Sequence, residues 1–520
     1  MAGKLLSVTA IETSGADETY QWDKITGADG FERVILFQHA DAQKQPTGEV
    51  VRCVEAALDR LRPQIAVIPG WSDKSSLAAV QWCGRNQVPA VIMSDSTAWD
   101  DRRKLWKESV KRQIVVLASS ALVAGTPHRD YLGQLGLSAE RVFLGYDAVD
   151  NRYFGDKVAE SRKRKVESRN DKKNAEMLKG NQFQLSTFPV STFQNAPYFL
   201  VSARFIEKKN LPRLIEAYAR YREFASKPES RKQKTENAGT LKAETGNANA
   251  ETLKVESRNE KGENRKQKVE NKNVFQLSEF QLSAFTPWPL VLLGDGPLKP
   301  DLCRLISDLR LQDSVLLPGF IQYPELPTFY AHAGAFIHAS TTEQWGLVVN
   351  EAMASGLPVL VSNRCGCAQD LVQEGVNGFT FDPYDVEQLA QLMLRIWSME
   401  RGAGSGSQRA AVSDQLNPES APASGAVSRA LAENPVSGFD GGIETDSPGG
   451  CAPQFLTPSS LLPASPSLGQ MGAASQRIIA DWGPDRFAQG LQSAVRKALE
   501  VGPVKPSFGQ RLILKALLWK

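Results

Sequence analysis

The sequence predicts an α/β protein in which two Rossmann-like domains follow one another along the chain. Two regions alternate short apolar runs, rich in Val and Ile, with stretches that are compatible with helices, and this alternation is typical of parallel sheets with crossover helices. The length of 520 residues is sufficient for two domains with full hydrophobic cores. Polar, repetitive segments interrupt both regions, so we expect insertions that belong to neither core.

The charge balance and the apolar runs argue against several classes of protein. Lys and Arg number 61 against 58 Asp and Glu, a net charge of +3, which does not indicate a nucleic-acid binder. No run reaches the roughly 18 apolar residues of a membrane span, and the N-terminus lacks the apolar core of a signal peptide. The six cysteines are scattered, as in a reducing compartment. We therefore expect a soluble, cytoplasmic protein.

No metal site is expected. Cys365-Gly-Cys367 looks like half of one, but no second Cys or His pair lies nearby in the sequence. A structural zinc ion takes roughly four protein ligands. The pattern is therefore insufficient to indicate zinc.

The first α/β region covers residues 1–154. Helix-compatible stretches such as Gly48–Arg62 separate its apolar runs. The six predicted strands lie in KLLSVTAIE, RVILFQ, QIAVIPG, PAVIMSD, QIVVLAS and RVFLGYD. This pattern predicts an N-terminal Rossmann-like domain.

The second α/β region covers residues 197–399 and is interrupted by a polar stretch at 225–285. Its predicted strands lie in YFLVSARF, PLVLLGDGP, SVLLPGF, GAFIHAS and LPVLVS. The alternation again predicts a parallel sheet, so this region is expected to form a C-terminal Rossmann-like domain.

Three segments have the composition of linkers. Residues 155–196 and 225–285 are charged and share sequence, since KVESRN occurs twice and FQLS three times. Residues 400–470 are rich in Ala, Ser, Gly and Pro. Such segments contain too few apolar residues to offset the entropy of ordering them. We expect disordered low-complexity segments, with a partner-binding tail as the alternative.

Two cations follow the first strand of the second region. Arg204 and Lys209 stand five residues apart in VSARFIEKKN, at a strand end, where open α/β sheets bind ligands. Arg offers a planar fork of donors and Lys a point charge, which together suit a diphosphate. A solvated turn before the helix Leu211–Tyr221 is the alternative.

Two further turns in this region have the composition of ligand-binding loops. Gly294 and Gly296 in VLLGDGPL permit a tight turn and close approach of backbone to a ligand. An ordinary connection is equally consistent with them. Phe320 follows the break at Pro318-Gly319 in LLPGFIQ. It would line a nucleobase pocket or, alternatively, fill the core.

The stretch TTEQWGLVVNEAMASGLPVLVS places two acids around a predicted helix start. Glu343 lies in the loop ahead of the helix, and Glu351 lies within it. The N–H groups near Gly346 and Leu347 would form an anion site, and Gly356 is placed to end the helix. Carboxylates accept hydrogen bonds from hydroxyls, so this layout suits a nucleotide sugar. Two solvated acids are the alternative.

In this order, the four stretches resemble the family-4 retaining glycosyltransferases of the GT-B fold, for which Glu343-x7-Glu351 is the signature. The resemblance implies that Glu343 contacts the hydroxyls of the donor sugar and Glu351 the ribose. Arg204 and Lys209 would hold the diphosphate and stabilise the charge on the leaving group.

The resemblance also implies roles for the residues around this motif. The Gly346 and Leu347 amides would contact the diphosphate, and Phe320 and Ile321 would lie beside the base. Gly294 and Gly296 are included among the donor-binding residues. The family usually needs no divalent metal and no cofactor. The second domain would bind the donor and the first the acceptor, facing each other across a cleft, with helices in 471–520 crossing back to the first domain.

Two departures from the family pattern concern the first domain. Members open with a strand, a Gly-containing loop and a helix, whereas GKLLSVTAIETSG resembles their second strand, so we expect an N-terminal truncation. The family often places a His after the strand that corresponds to PAVIMSDST. Here Asp95 occupies that place and is a candidate for positioning substrate. The sequence assigns no role to the four histidines, which are His39, His128, His332 and His338.

These residues together predict a retaining hexosyl- or other glycosyltransferase of polysaccharide or lipid glycosylation. Its partners would be a nucleotide-sugar donor and a glycan, lipid or small-molecule acceptor, but not nucleic acid. A non-catalytic sugar-nucleotide-binding or scaffold protein is one alternative, and a GT-B-like sugar-nucleotide epimerase is another.

The last segment, 508–520, suggests a peripheral membrane contact. Its apolar residues would gather on one helical face, with basic residues at the border, as in helices that lie on anionic membranes. A helix docked on the first domain is the alternative. The proposed face comprises Leu512, Ile513, Leu517 and Trp519, bordered by Arg511, Lys515 and Lys520.

Overall fold

The computed structural model describes residues 7–14, 31–38, 41–101, 103–170, 197–226, 286–402 and 466–519. Almost all of the predicted insertion 225–285, most of the segment 155–196 and most of 400–470 therefore lie outside the described residues. Within the described residues, all strand pairs are parallel. This arrangement confirms the α/β class predicted from the alternating apolar runs.

The strands and helices of the described residues are as follows. The strands are β1 Thr9–Ser14, β2 Glu32–Phe37, β3 Ala66–Pro69, β4 Ala90–Ser94, β5 Ser120–Val123, β6 Val142–Leu144, β7 Phe199–Ser202, β8 Leu290–Leu293, β9 Val315–Gly319, β10 Ala335–His338, β11 Val359–Ser362 and β12 Gly378–Phe381. The helices are α1 Thr47–Leu61, α2 Lys74–Asn86, α3 Leu105–Val115, α4 Thr126–Gln134, α5 Asn151–Asn170, α6 Leu211–Ser226, α7 Lys299–Asp308, α8 Leu326–His332, α9 Leu347–Ala354, α10 Ala368–Leu371, α11 Val386–Gly402, α12 Leu468–Ala480, α13 Pro484–Val501 and α14 Phe508–Leu518.

The strands form three sheets in the described residues. β1 pairs with β2, the order β3-β4-β5-β6 forms a second sheet, and β12-β11-β10-β7-β8-β9 forms the third. In the six-stranded sheet β8 and β9 are added in sequence on one side of β7, and β11 and β12 are added in sequence on the far side of β10. The neighbours β7 and β10 therefore mark the switch point of the sheet, the place where open α/β sheets bind ligands.

One predicted strand is wrong. QIVVLAS was expected to be extended, but Gln113–Val115 completes helix α3, and β5 begins only at Ser120. Ile114 and Val115 are both buried on the inner side of the helix. A short apolar run does not distinguish a buried helix end from a strand, because periodicity needs more residues than it contains.

Helix α5 extends beyond the predicted end of the first region. Residue 155 and those after it were assigned to a linker, but the helix continues to Asn170. Its Val158 is buried among apolar residues of the second region, and Arg162 Nε donates to the Ala331 carbonyl at 3.0 Å. The first part of the polar segment therefore packs on the second domain, although its composition resembles that of the residues that follow.

The C-terminal helices contact both domains. In α12, Ser475 Oγ donates to the Leu357 carbonyl of the second domain at 2.7 Å. Helix α13 lies on the four-stranded sheet, where Ser120 Oγ donates to the Ala494 carbonyl at 2.6 Å. Helices α12 and α13 thus carry the chain from the second domain back to the first domain.

Helix α14 docks on the first domain, so the predicted apolar face is wrong in part. Leu514 and Leu518 are buried in the first-domain core and Leu517 packs beside them. Leu512 and Trp519 remain exposed, at 52% and 93%. At 100° per residue, Leu517 lies on the docked side of the helix, and Leu512 and Trp519 share the opposite side.

Candidate functional site

The loops after β7 and β10 meet at the switch point of the six-stranded sheet. Thr341 N donates to the Lys208 carbonyl at 2.9 Å, which ties the two loops together. The ammonium group of Lys209 is hydrogen-bonded to Glu343 Oε2. Two of the predicted site residues, separated by more than one hundred positions in the sequence, are therefore in direct contact.

Glu343 is held as a carboxylate by its neighbours. Its side chain is 12% exposed, and Oε2 accepts from Lys209 and from Ser340 Oγ at 3.2 Å. His338 Nε2 lies 3.3 Å from the same oxygen. Burial alone would raise the pKa of Glu343, but the hydrogen bond from His338 and the charge of Lys209 outweigh it and hold the pKa well below its usual range.

The helix that follows this loop begins as predicted. Gly346 precedes the first helical residue, Leu347, and has a φ of +107°, which only glycine adopts without strain. Leu347 is 41% exposed. Gly356 ends the helix with a φ of +76°, as the sequence indicated. The first N–H groups of α9 thus lie beside the Glu343 loop, where a diphosphate site was predicted.

Glu351 is more deeply buried than a solvated acid would be. Its side chain accepts a hydrogen bond from Tyr330 Oη at 2.8 Å, and Tyr330 is itself fully buried. Burial raises the pKa of Glu351 to about 7. This tyrosine partner could not be predicted from the local sequence, because Tyr330 lies on another helix.

The raised pKa of Glu351 predicts a pH-dependent stability. The unfolded side chain ionises near 4.5 and the native one near 7, so between these values the native state retains a proton that the unfolded chain has lost. The contribution of this residue is present below pH 4.5 and is lost as the pH rises to about 7. We expect Glu351→Gln, which keeps an acceptor for Tyr330, to be more stable than wild type at pH 8 by roughly 3 kcal/mol.

Melting temperatures of both proteins at pH 5 and pH 8 test this expectation. The variant should melt higher than wild type at pH 8, and the difference should be much smaller at pH 5. A difference of the same size at both values would contradict the pKa assigned to Glu351.

The two predicted glycines bring the loops after β7 and β8 close together. Gly294 has a φ of +128°, and a Cβ there would lie 1.9 Å from the Ala203 carbonyl oxygen. At Gly296 a Cβ would lie 2.7 Å from the Phe205 carbonyl oxygen. The backbone on both sides of Arg204 therefore packs directly on this turn, so the glycines help to position the Arg204 loop.

The two residues predicted beside the base differ in exposure. Phe320 is 36% exposed at the surface. Ile321 is buried and belongs to an apolar cluster of the second domain. Of the pair, Phe320 is the side chain that a ligand can reach.

The first domain contributes acids to the same region. Asp95 follows β4 and accepts a hydrogen bond from Nε2 of Gln344, the residue after Glu343, at 3.2 Å. Burial raises its pKa. Burial and the charge of Asp95 raise the pKa of Asp147 to about 7, and Asp147 Oδ2 has no hydrogen-bond partner among the described residues. Asp147 was not singled out from the sequence, although it follows a predicted strand as Asp95 does.

Helix α4 of the first domain contacts the second domain through its N-terminus. Thr126 donates to Asp370 from its backbone N at 2.8 Å and from Oγ1 at 2.6 Å. His128 Nε2 lies 2.9 Å from the Gln344 carbonyl oxygen. The sequence assigned no role to His128, because this contact joins residues more than 200 positions apart.

Neither a cluster of metal-ligating side chains nor a membrane-spanning helix is found in the described part of the chain. No group of three or more His, Cys, Asp or Glu side chains there is arranged to hold a metal ion. None of the helices within it has both the length and the apolar composition to cross a bilayer.

Two Rossmann-like domains, with a Lys–Glu pair at the switch point of the second sheet, define the GT-B class of fold. Residues 266–411 match the family described as "Glycosyl transferases group 1". The match contains three of the four strand-end stretches and confirms the predicted resemblance to glycosyltransferases.

Known relatives share parts of this chain. Sulfoquinovosyl transferase SQD2 of Arabidopsis thaliana is 43% identical over 101 residues, 19% of this chain and 19% of the relative. Alpha-monoglucosyldiacylglycerol synthase of Acholeplasma laidlawii is 32% identical over 146 residues, 27% of this chain and 36% of the relative. The matched part thus spans about a fifth to a third of the length of these curated relatives.

The fold is shared more widely than the sequence. Sucrose-phosphate synthase from Thermosynechococcus elongatus superposes with a TM-score of 0.53 at 14% identity, over 95% of this chain and 89% of that one. This likeness confirms the predicted GT-B fold.

Proposed function

We propose that the protein is a retaining glycosyltransferase that transfers a sugar from a nucleotide-sugar donor to a glycan, lipid or small-molecule acceptor. The observation that carries the proposal is the Lys209–Glu343 pair at the switch point. It places a cation for a diphosphate and a carboxylate for sugar hydroxyls side by side. In this proposal the second domain binds the donor and the first domain the acceptor.

The diphosphate would be held by positive groups from two loops. Arg204 and Lys209 follow β7, and the N–H groups of Gly346 and Leu347 begin α9. As the glycosidic bond breaks, negative charge grows on the departing diphosphate, and fixed donors stabilise it. One such donor is commonly worth roughly 3–4 kcal/mol of transition-state stabilisation. We propose that these groups act without a divalent cation or another cofactor.

The remaining predicted residues would position the two ends of the donor. Glu343 would accept hydrogen bonds from the sugar and Glu351 from the ribose. Phe320 would lie beside the base, and Ile321, which is buried, would support this part of the site from the core. Gly294 and Gly296 would contribute to donor binding by positioning the Arg204 loop, whose backbone packs against them.

Asp95 would act from the acceptor side of the site. It reaches the loop of Glu343 through Gln344, so a bound acceptor hydroxyl would lie between the domains. Burial raises the pKa of Asp95, as expected for a carboxyl group that is partly withdrawn from solvent.

A transfer assay tests the proposal. The full chain is incubated with UDP-, GDP- and ADP-sugars and with panels of glycan and lipid acceptors, and release of nucleoside diphosphate is measured. NMR of the product gives the anomeric configuration, which should match that of the donor. Donor binding with no turnover on any acceptor would instead favour the non-catalytic alternative.

The epimerase alternative is favoured by one observation. Such an enzyme needs acids in the first domain, and Asp95 and Asp147 lie there with interacting charges. An epimerase would convert the sugar nucleotide into its epimer without an acceptor. Chromatography of the donor after incubation alone separates this activity from transfer.

We further propose a peripheral contact of helix α14 with anionic membranes. Phe508, Leu512 and Trp519 are exposed at 78%, 52% and 93% and share one side of the helix at 100° per residue. Arg511 and Lys515 are exposed on the same side. An apolar face bordered by cations suits an anionic lipid surface.

Flotation with liposomes tests this contact. Changing Phe508, Leu512 and Trp519 together to Ser should reduce binding to anionic vesicles several-fold and leave the melting temperature near that of wild type, because all three side chains face solvent. Neutral vesicles serve as the control. Equal flotation of variant and wild type with anionic vesicles would contradict the proposal. Point changes are preferable to deletion, since Leu514 and Leu518 belong to the core.

A further inference from the structure

His338 has a defined place beside the proposed donor site. It is the last residue of β10 and its side chain is 2% exposed. Burial lowers its pKa, so the ring is neutral and carries one N–H. Nε2 lies 3.3 Å from Glu343 Oε2 and 3.3 Å from Ser340 Oγ. Nε2 is therefore the ring nitrogen that faces this loop, and in the tautomer that carries its hydrogen on Nε2 the ring donates to Glu343.

The two oxygens of Glu343 are in different surroundings. Oε2 is approached by Lys209 Nζ, Ser340 Oγ and His338 Nε2. Oε1 is approached, among the described residues, only by Lys208 Nζ at 3.9 Å, beyond hydrogen-bond distance. A carboxylate bound at one oxygen has a fixed orientation and presents the lone pairs of the other. Oε1 is therefore the atom left for a sugar hydroxyl.

The donors on Oε2 are not equivalent once a nucleotide sugar binds. Lys209 is a flexible cation, and the proposed function assigns it to the diphosphate. If it turns toward phosphate, Oε2 retains only the donors from the β10 end. Neither His338 nor Ser340 is charged, so neither would be drawn to the diphosphate in the same way.

We propose that His338, together with Ser340, is a positioning residue that anchors Oε2 of Glu343 so that Oε1 faces the donor sugar. This inference rests on the proposed function. It makes the end of β10 a determinant of recognition of the sugar and not of the nucleotide. Loss of the anchor should weaken every interaction that depends on the sugar and leave the nucleoside diphosphate part unchanged.

Three variants test the inference through binding as well as turnover. His338→Leu removes the donor at similar volume, His338→Gln keeps an N–H near the position of Nε2, and Ser340→Ala removes the hydroxyl. Calorimetry gives the Kd of the preferred sugar nucleotide and of its nucleoside diphosphate for each variant. Steady-state kinetics give kcat/KM, and melting temperatures report the fold.

The expected result is a difference between the two ligands. His338→Leu should weaken sugar-nucleotide binding or lower kcat/KM by about 10–100-fold, corresponding to roughly 1.4–2.8 kcal/mol, with nucleoside diphosphate affinity within twofold of wild type. His338→Gln should recover most of the loss, and Ser340→Ala should show a smaller loss of the same kind. His332→Gln is the matched control. His332 ends the helix before β10, and its substitution should leave the affinities for both ligands at the wild-type values.

Three results would overturn the inference. They are wild-type sugar recognition in His338→Leu, a parallel loss of nucleoside diphosphate affinity, and no recovery in His338→Gln. If His338→Leu does not fold, Ser340→Ala decides by the same comparison of ligands. Failure of the proposed function is seen separately, because wild type itself would then bind or turn over no sugar nucleotide.

Discussion

Glu343→Gln is expected to reduce the turnover number for sugar transfer by roughly 10²–10³-fold. The amide keeps the shape of the side chain but lacks the charge that Lys209 and the sugar hydroxyls require. Part of the effect arises because Lys209, also 12% exposed, loses its ion-pair partner. Steady-state kinetics with the preferred donor measure the change, and circular dichroism shows whether the fold remains.

Glu374→Gln is the matched control for this variant. Glu374 is an exposed glutamate of the same domain that accepts from Thr380, and its substitution should leave turnover unchanged. Wild-type turnover in Glu343→Gln would contradict the role assigned to Glu343. A loss of activity accompanied by unfolding would instead assign a structural role to the ion pair.

Gly294→Ala is expected to destabilise the donor-side domain by several kcal/mol and to abolish measurable donor binding at moderate ligand concentration. The new Cβ would lie 1.9 Å from the Ala203 carbonyl oxygen at a φ of +128°, so backbone must move. A strained φ of this kind costs of order 1–3 kcal/mol before the clash is counted. The backbone that must move carries Arg204, so the diphosphate site is distorted as well.

Gly502→Ala separates these two contributions. Gly502 also has a positive φ, +75°, but nothing lies within 4 Å of the position of its Cβ. The stability of Gly502→Ala should fall only by the free energy of the strained backbone conformation, and its affinity for the donor should equal that of wild type. If chemical denaturation shows equal losses for the two variants, the close approach at Gly294 does not contribute to stability.

Much of the fold and the strand-end residues of the site can be predicted from local sequence. Alternating apolar runs predict the parallel sheets, and strand-end positions predict that Arg204, Lys209 and Glu343 lie at one edge. These signals are local because a strand, its loop and the next helix are continuous in the chain. QIVVLAS marks the limit of such signals, since the same apolar run satisfies a buried helix end and a strand equally well.

The rest of the site depends on partners that are distant in sequence. The role of His338 is visible only in the folded chain, where the loop after β10 places Glu343 Oε2 3.3 Å from His338 Nε2. Tyr330 donates to Glu351 from a neighbouring helix. The charge of Asp95 acts on the pKa of Asp147 only after β4 and β6 are assembled into one sheet. The docking of α14 is similar, because an amphipathic helix has the same pattern whether its apolar side meets protein or lipid.

The contact of helix α4 with the second domain couples the order of the Glu343 loop to the arrangement of the two domains. His128 touches the backbone of Gln344, the residue after Glu343, and Thr126 binds Asp370 with both of its donors. Separating the domains as rigid bodies would break these bonds and free the loop at the same time. The two events are thermodynamically linked, so each must favour the other by the same free energy. If the proposed function holds, a donor bound to the open molecule would meet a loosened Glu343 loop, and bringing the domains together would complete the site.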